Sequence, residues 1–119
     1  MRVLVADDSM VMRRIVVRTL RQAGFDVSDI VEASDGREAY ETVMTEEPDL
    51  VLSDWNMPEM TGIESLRAIR AAGSKVLFGF VTSEGSEEMR AEAAAAGAAF
   101  LIAKPFTADT FRDVLGAFV

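Results

Sequence analysis

Four places in the chain hold residues that could do chemistry together: the acidic pair Asp7-Asp8, the single Asp54, the hydroxyl pair Thr82-Ser83, and Lys104 in "AKPF". The 119 residues contain neither cysteine nor histidine, which excludes thiol nucleophiles, imidazole bases and the usual zinc ligands. Carboxylate chemistry remains. Two like charges ~4 Å apart repel by about 4 kcal/mol at an effective dielectric near ~20, so gathered acids need a cation. An oxygen-only ligand set selects a hard divalent ion, Mg²⁺ foremost. An aspartate can also attack phosphorus and form an acyl phosphate. A metal on one side, Lys104 on another and the Thr82 hydroxyl as donor would supply the positive surroundings that phosphoryl transfer requires. Each signal also has a plainer reading. A lone Asp after a strand suits a turn, an Asp pair suits a helix cap, and a Lys-Pro suits a loop. Position joins them, because each falls just after an apolar run.

Those runs are residues 3–6, 50–52, 76–81 and 100–103, with a weaker one at 27–33. Unbroken Val, Ile, Leu and Phe mark strands buried on both faces of a parallel sheet, and the weaker "VSDIVEA" suits an edge. Five amphipathic stretches alternate with the runs, giving α/β architecture of the (βα)₅ kind in one domain. Asp35 with Glu38 and Thr61 with Glu64 have capping-box spacing. Gly24, Gly73 and Gly97 stand where a left-handed residue closes a helix. Phe111, Val114, Leu115 and Phe118 form the apolar stripe of the last helix. In open α/β sheets, ligands sit beyond the carboxyl ends of the strands, where Asp7, Asp8, Asp54, Thr82 and Lys104 all fall.

Charge narrows the partners. A net charge of −8 opposes direct nucleic-acid binding, and the short N-terminal apolar run is neither a signal peptide nor a membrane span, which points to a cytoplasmic protein. On this acidic background Arg13, Arg14, Arg18 and Arg21 fall within about a 140° arc of the first helix, opposite Ile15, Val16, Thr19 and Leu20. The arc reads either as a solvated face or as a docking edge for an acidic kinase or phosphotransfer partner.

Taken in order, "VLVADDSMVMRRIV", "DLVLSDWNMPEMTGIE", "VTSEG" and "AKPF" resemble the receiver domain of bacterial two-component response regulators, over essentially the whole chain. The segment "SDWNMP" resembles the single-domain chemotaxis members most. The resemblance implies a flavodoxin-like doubly wound fold with strand order 2-1-3-4-5. It also implies a phosphorylation-controlled switch, not an enzyme, that takes its phosphoryl group from a histidine kinase or phosphotransfer protein. By position, Asp54 is the implied phosphoacceptor. Asp8, Asp54 and the backbone carbonyl of Asn56 are the implied Mg²⁺ ligands, with Asp7 helping through water. Thr82 and Lys104 are the implied phosphate partners, next to a Lys104-Pro105 peptide that is typically cis in the family. Asn56 and Glu84 match positions that tune acyl-phosphate lifetime.

One departure concerns the switch. Where the family commonly holds an aromatic residue, three before Lys104, this chain has Leu101, with Phe100 one residue earlier. Strand alternation sends these two to opposite faces, so Leu101, or repacking around Phe106, is the expected reporter. "DWNMP" and Glu84 favour a chemotaxis receiver acting on an output protein such as a flagellar motor switch component. A phosphorelay intermediate or a receiver cut from a larger regulator are the alternatives. A haloacid-dehalogenase-like phosphatase would need a second acid where Asn56 stands, and a flavin or nucleotide carrier would not put two acids in its phosphate loop.

Overall fold

The structure, a computed structural model, describes all 119 residues. Strands and helices alternate throughout. They are β1 (Arg2–Ala6), α1 (Met10–Gln22), β2 (Asp29–Ala33), α2 (Gly36–Glu46), β3 (Leu50–Ser53), α3 (Gly62–Ala71), β4 (Leu77–Thr82), α4 (Glu87–Ala96), β5 (Phe100–Ala103) and α5 (Ala108–Leu115). All four strand pairings are parallel, and the sheet runs β2-β1-β3-β4-β5. The expected order is therefore the observed one, with the weak run at an edge.

The period-two geometry of a strand explains the unbroken apolar runs, because alternate side chains feed two separate cores. Leu4, Val51, Phe78, Phe80 and Leu101 pack with Ala39, Val43, Leu66, Ile69 and Ala93 of α2, α3 and α4. Val3, Val5, Leu50, Leu52, Val81 and Ile102 pack on the other face with Val16, Leu20, Phe111 and Leu115 of α1 and α5. Phe100 and Leu101 fall in different cores, as strand alternation requires. An isolated helix as short as α5 is marginal in water. Full burial of Phe111 and Leu115 contributes about 1.5–3 kcal/mol for each side chain, which is what fixes α5 in place. No helix is long and apolar enough to cross a membrane.

Helix ends follow their local chemistry, with two corrections. Thr61 and Glu64 form a complete, reciprocal capping box. Asp35 accepts from the Glu38 amide, but Glu38 does not reach back; its carboxylate accepts instead from the Ser34 hydroxyl at 3.4 Å, so only half the expected box forms. Gly24, Gly73 and Gly97 are left-handed, with φ of 91°, 90° and 104°. The second correction concerns Phe118. The helix stops at Leu115, so Phe118 lies beyond the stripe, about half exposed, with its ring 5.7 Å from that of Phe100.

Candidate functional site

Backbone pairing continues one residue past the strands and sets the site. The Asp7 amide donates to the Ala33 carbonyl at 3.0 Å, the Asp54 amide to Ala6 at 2.8 Å, and the Lys104 amide to Thr82 at 2.8 Å. Asp7, Asp54 and Lys104 are thereby fixed at the carboxyl end of the sheet, where strand order reverses around β1 and β3.

One oxygen of each inner acid is held locally. Asp7 Oδ1 accepts from the Ser9 amide at 2.9 Å, and Asp54 Oδ1 accepts from the Trp55 amide at 2.7 Å. The other oxygens meet a shared cation, since Lys104 Nζ lies 3.3 Å from Asp7 Oδ2 and 3.4 Å from Asp54 Oδ2. Asp8 is exposed on the solvent side, and ligand atoms of Asp7, Asp8 and Asp54 all lie within 4.8 Å of one another. Burial pushes the Asp7 carboxyl above its ordinary value of 3.8; the Ser9 amide and Lys104 oppose the shift, and the Asp54 charge adds to it. Three hard oxygen donors at this spacing, one of them a buried carboxyl whose charged form is disfavoured until a cation is near, form a set that suits a hard divalent cation.

Thr82 is fully buried and its Oγ1 accepts from the Glu84 amide at 3.4 Å. Paired with Ala103 across the β4/β5 ladder, it sits beside Lys104. Glu84 and Asn56 are exposed, in the loops after β4 and β3. The Lys104-Pro105 peptide is cis. Phe106 packs on Phe111 with ring centroids 4.7 Å apart.

Two glycines that carried no local signal in the sequence shape the loop after β3. The Gly62 amide donates to the Trp55 carbonyl at 2.7 Å and the Gly36 amide to the Met60 carbonyl at 3.1 Å. A Cβ at Gly62 would collide with the Asp54 carbonyl oxygen, and one at Gly36 with that of Met60. The turn carrying Asn56 is thus clamped at both ends by close backbone approach.

The arginine arc needs correction at Arg13. Its side chain is 14% exposed; Nε lies 2.9 Å from Glu32 Oε1, and Nη1 donates to the Asp7 carbonyl at 2.7 Å. Arg13 therefore braces the site from behind instead of joining the exposed face. Arg14, Arg18 and Arg21 do stay outside, along a groove between α1 and β2.

A five-stranded parallel sheet with an aspartate cluster and one lysine at its switch point defines a class of α/β domain built to gather anionic oxygens around a cation. Comparison with known proteins gives that class a family. The chain belongs to the response regulator receiver domain family, whose model matches residues 3–115. It is 40% identical to the chemotaxis protein CheY of Pseudomonas aeruginosa over 117 residues, covering 95% of this chain and 91% of that protein. The structure of Vibrio cholerae CheY4 matches with a TM-score of 0.85 at 35% identity, covering 99% of this chain and 98% of that one. A CheX-CheY-BeF3-Mg²⁺ complex from Borrelia burgdorferi matches with a TM-score of 0.87 at 27% identity, over 99% and 89% of the two chains.

Proposed function

We propose that this receiver accepts a phosphoryl group on Asp54 and uses it to change a partner-binding surface in chemotaxis signalling. The observation that carries the reading is the shared approach of Lys104 to Asp54 and Asp7. An Asp54 carboxylate oxygen attacks phosphorus of a phosphohistidine on a kinase or phosphotransfer protein; the P–N bond breaks, and the departing imidazole keeps its electron pair. Asp8, Asp54 and the Asn56 backbone carbonyl are the proposed Mg²⁺ ligands, with Asp7 behind them. When bound, the ion neutralises charge on the phosphoryl oxygens.

Lys104 pairs with a phosphoryl oxygen in the product, and the Thr82 hydroxyl turns from the Glu84 amide to donate to another. Hydrogen bonds to charged groups contribute about 1.5–3 kcal/mol each, and inverting a 1:99 population takes about 5.5 kcal/mol, so two or three such bonds suffice. Movement of Thr82 is felt next on β5, where buried Leu101 faces α4 and Phe106 continues toward α5. Asn56 and Glu84, exposed at the rim, set the access of water to the acyl phosphate. The protein acts in the cytoplasm as a phosphoacceptor, not a turnover catalyst, and its output partner is of the flagellar motor switch kind. Likeness to chemotaxis proteins and to a complex containing Mg²⁺ supports this reading.

The direct test is intact-mass analysis after incubation with acetyl phosphate and Mg²⁺. One phosphoryl increment is expected, absent in Asp54→Asn and without the ion. An increment that persists in Asp54→Asn would remove the assignment.

A further inference from the structure

Seven of the arginines have a partner. Arg2, Arg13, Arg37, Arg67 and Arg112 each pair with an acid, and Arg70 and Arg90 donate to backbone carbonyls. The remaining three, Arg14, Arg18 and Arg21, have no ion pair or side-chain hydrogen bond, and all three line one groove. On a chain with 20 acidic residues against 12 basic ones, three neighbouring guanidinium groups are left free to take an anionic partner from outside.

The groove is the largest concavity on the molecule, about 660 Å³, between α1 and the edge strand β2. Val17 and Ile30, both half-buried, form its apolar floor. Its one acid, Glu32, is already engaged by Arg13. The three arginines stand at i, i+4 and i+7, a ladder about 10 Å long on one side of α1. A guanidinium fork prefers planar carboxylate or phosphate oxygens. Net charge selects between them: a chain at −8 repels a long polyanion or an anionic bilayer as a whole, whereas a short acidic segment can be gripped locally over an apolar floor.

We propose that the α1/β2 groove docks an amphipathic acidic helix of a protein partner, with carboxylates at i, i+4 and i+7 against Arg14, Arg18 and Arg21 and an apolar residue on Val17 and Ile30. The groove uses none of Asp54, Thr82 or Lys104, so docking is open to the unphosphorylated and phosphorylated forms alike.

The test uses the full chain and a fluorescein-labelled helical peptide with Glu at i, i+4 and i+7 and leucines between, read by anisotropy. Saturable binding is expected. It should weaken by about tenfold in Arg14→Glu/Arg18→Glu and fall with added salt, while Lys75→Glu leaves it unchanged. Asp54→Asn should bind equally, which separates failure here from failure of the phosphoacceptor assignment. The double variant must still take a phosphoryl group from acetyl phosphate, as evidence that it is folded. No binding, equal binding of a Gln-for-Glu peptide, or insensitivity to the double substitution would overturn the proposal. Equal displacement by an oligonucleotide or by anionic vesicles would do the same, by showing a general polyanion surface.

Discussion

Lys104 Nζ and Asp54 Oδ2 stand 3.4 Å apart with side chains 16% and 14% exposed, so the ammonium occupies the electrostatic place that a divalent ion would share. A divalent ion bound at these carboxylates would compete with Lys104 for them. Lys104→Met, which keeps the shape and removes the charge, should tighten Mg²⁺ binding severalfold by titration calorimetry. Without the ion it should lower stability by about 1–3 kcal/mol, because it strips two partly buried acids of their counter-charge. Weaker Mg²⁺ binding in this variant would mean that Lys104 positions the acids more than it competes for them.

Asp7 sets a pH dependence whose sign can be worked out. Its folded carboxyl is raised above 3.8, chiefly by burial. In chelator-treated protein, no contribution arises while the group is protonated in both states. As pH climbs from about 4 through the raised folded value, the native state gives up a proton it holds more tightly than the unfolded chain does, and stability falls. Asp7→Asn should therefore melt higher than the parent at neutral pH by a few degrees, about 4 °C for each ~1 kcal/mol relieved in a domain of this size. The advantage should vanish near pH 4. Mg²⁺ should raise the melting temperature of the parent more than that of the variant.

The glycine clamp predicts a local lesion. Gly62→Ala forces a methyl into the Asp54 carbonyl, and the backbone must give way. A loss of about 1–3 kcal/mol in urea unfolding is expected, as for overpacking of a rigid site. Mg²⁺ affinity should fall with it, since the strained turn bears Asn56. Gly73→Ala is the control: its φ of 90° strains the variant too, but nothing lies within 4 Å of the added carbon, so the metal site should be untouched.

Helix α4 is weakly anchored. Ala93 is its one buried residue, and Arg90 ties it by donating to the Gly85 carbonyl at 3.2 Å and the Leu101 carbonyl at 3.0 Å. Arg90→Ala should speed amide exchange in α4 by about tenfold, the factor that ~1.4 kcal/mol produces, and leave β3 unaffected. Unchanged exchange in α4 would place its hold elsewhere.

The strands and the acidic cluster were legible because both depend on short-range patterns. Apolar runs such as 50–52 have no other use, and the polar residue that ends each run marks the sheet's rim. Features that depend on reach across space were not legible. Helical periodicity gives the direction in which Arg13 leaves α1, but not the length that lets its guanidinium fold back to Glu32 and the Asp7 carbonyl. Capping spacing at Asp35 could not weigh the Ser34 hydroxyl as a rival for Glu38. The stripe ending at Phe118 continued a pattern after its helix had stopped at Leu115. Gly36 meets a carbonyl of a different loop and Gly62 one at the far end of its own, and nothing beside them in sequence announces it.

Trp55 is the chain's single indole. Its ring lies 4.8 Å from Phe80, its amide binds Asp54, and its carbonyl takes the Gly62 amide. Indole emission, excited at the red edge of the band where Tyr40 does not absorb, thus arises from one locale, next to the acid where chemistry is proposed. Quenching or a spectral shift reports that locale alone, so kinetics can be followed on the native chain without a dye.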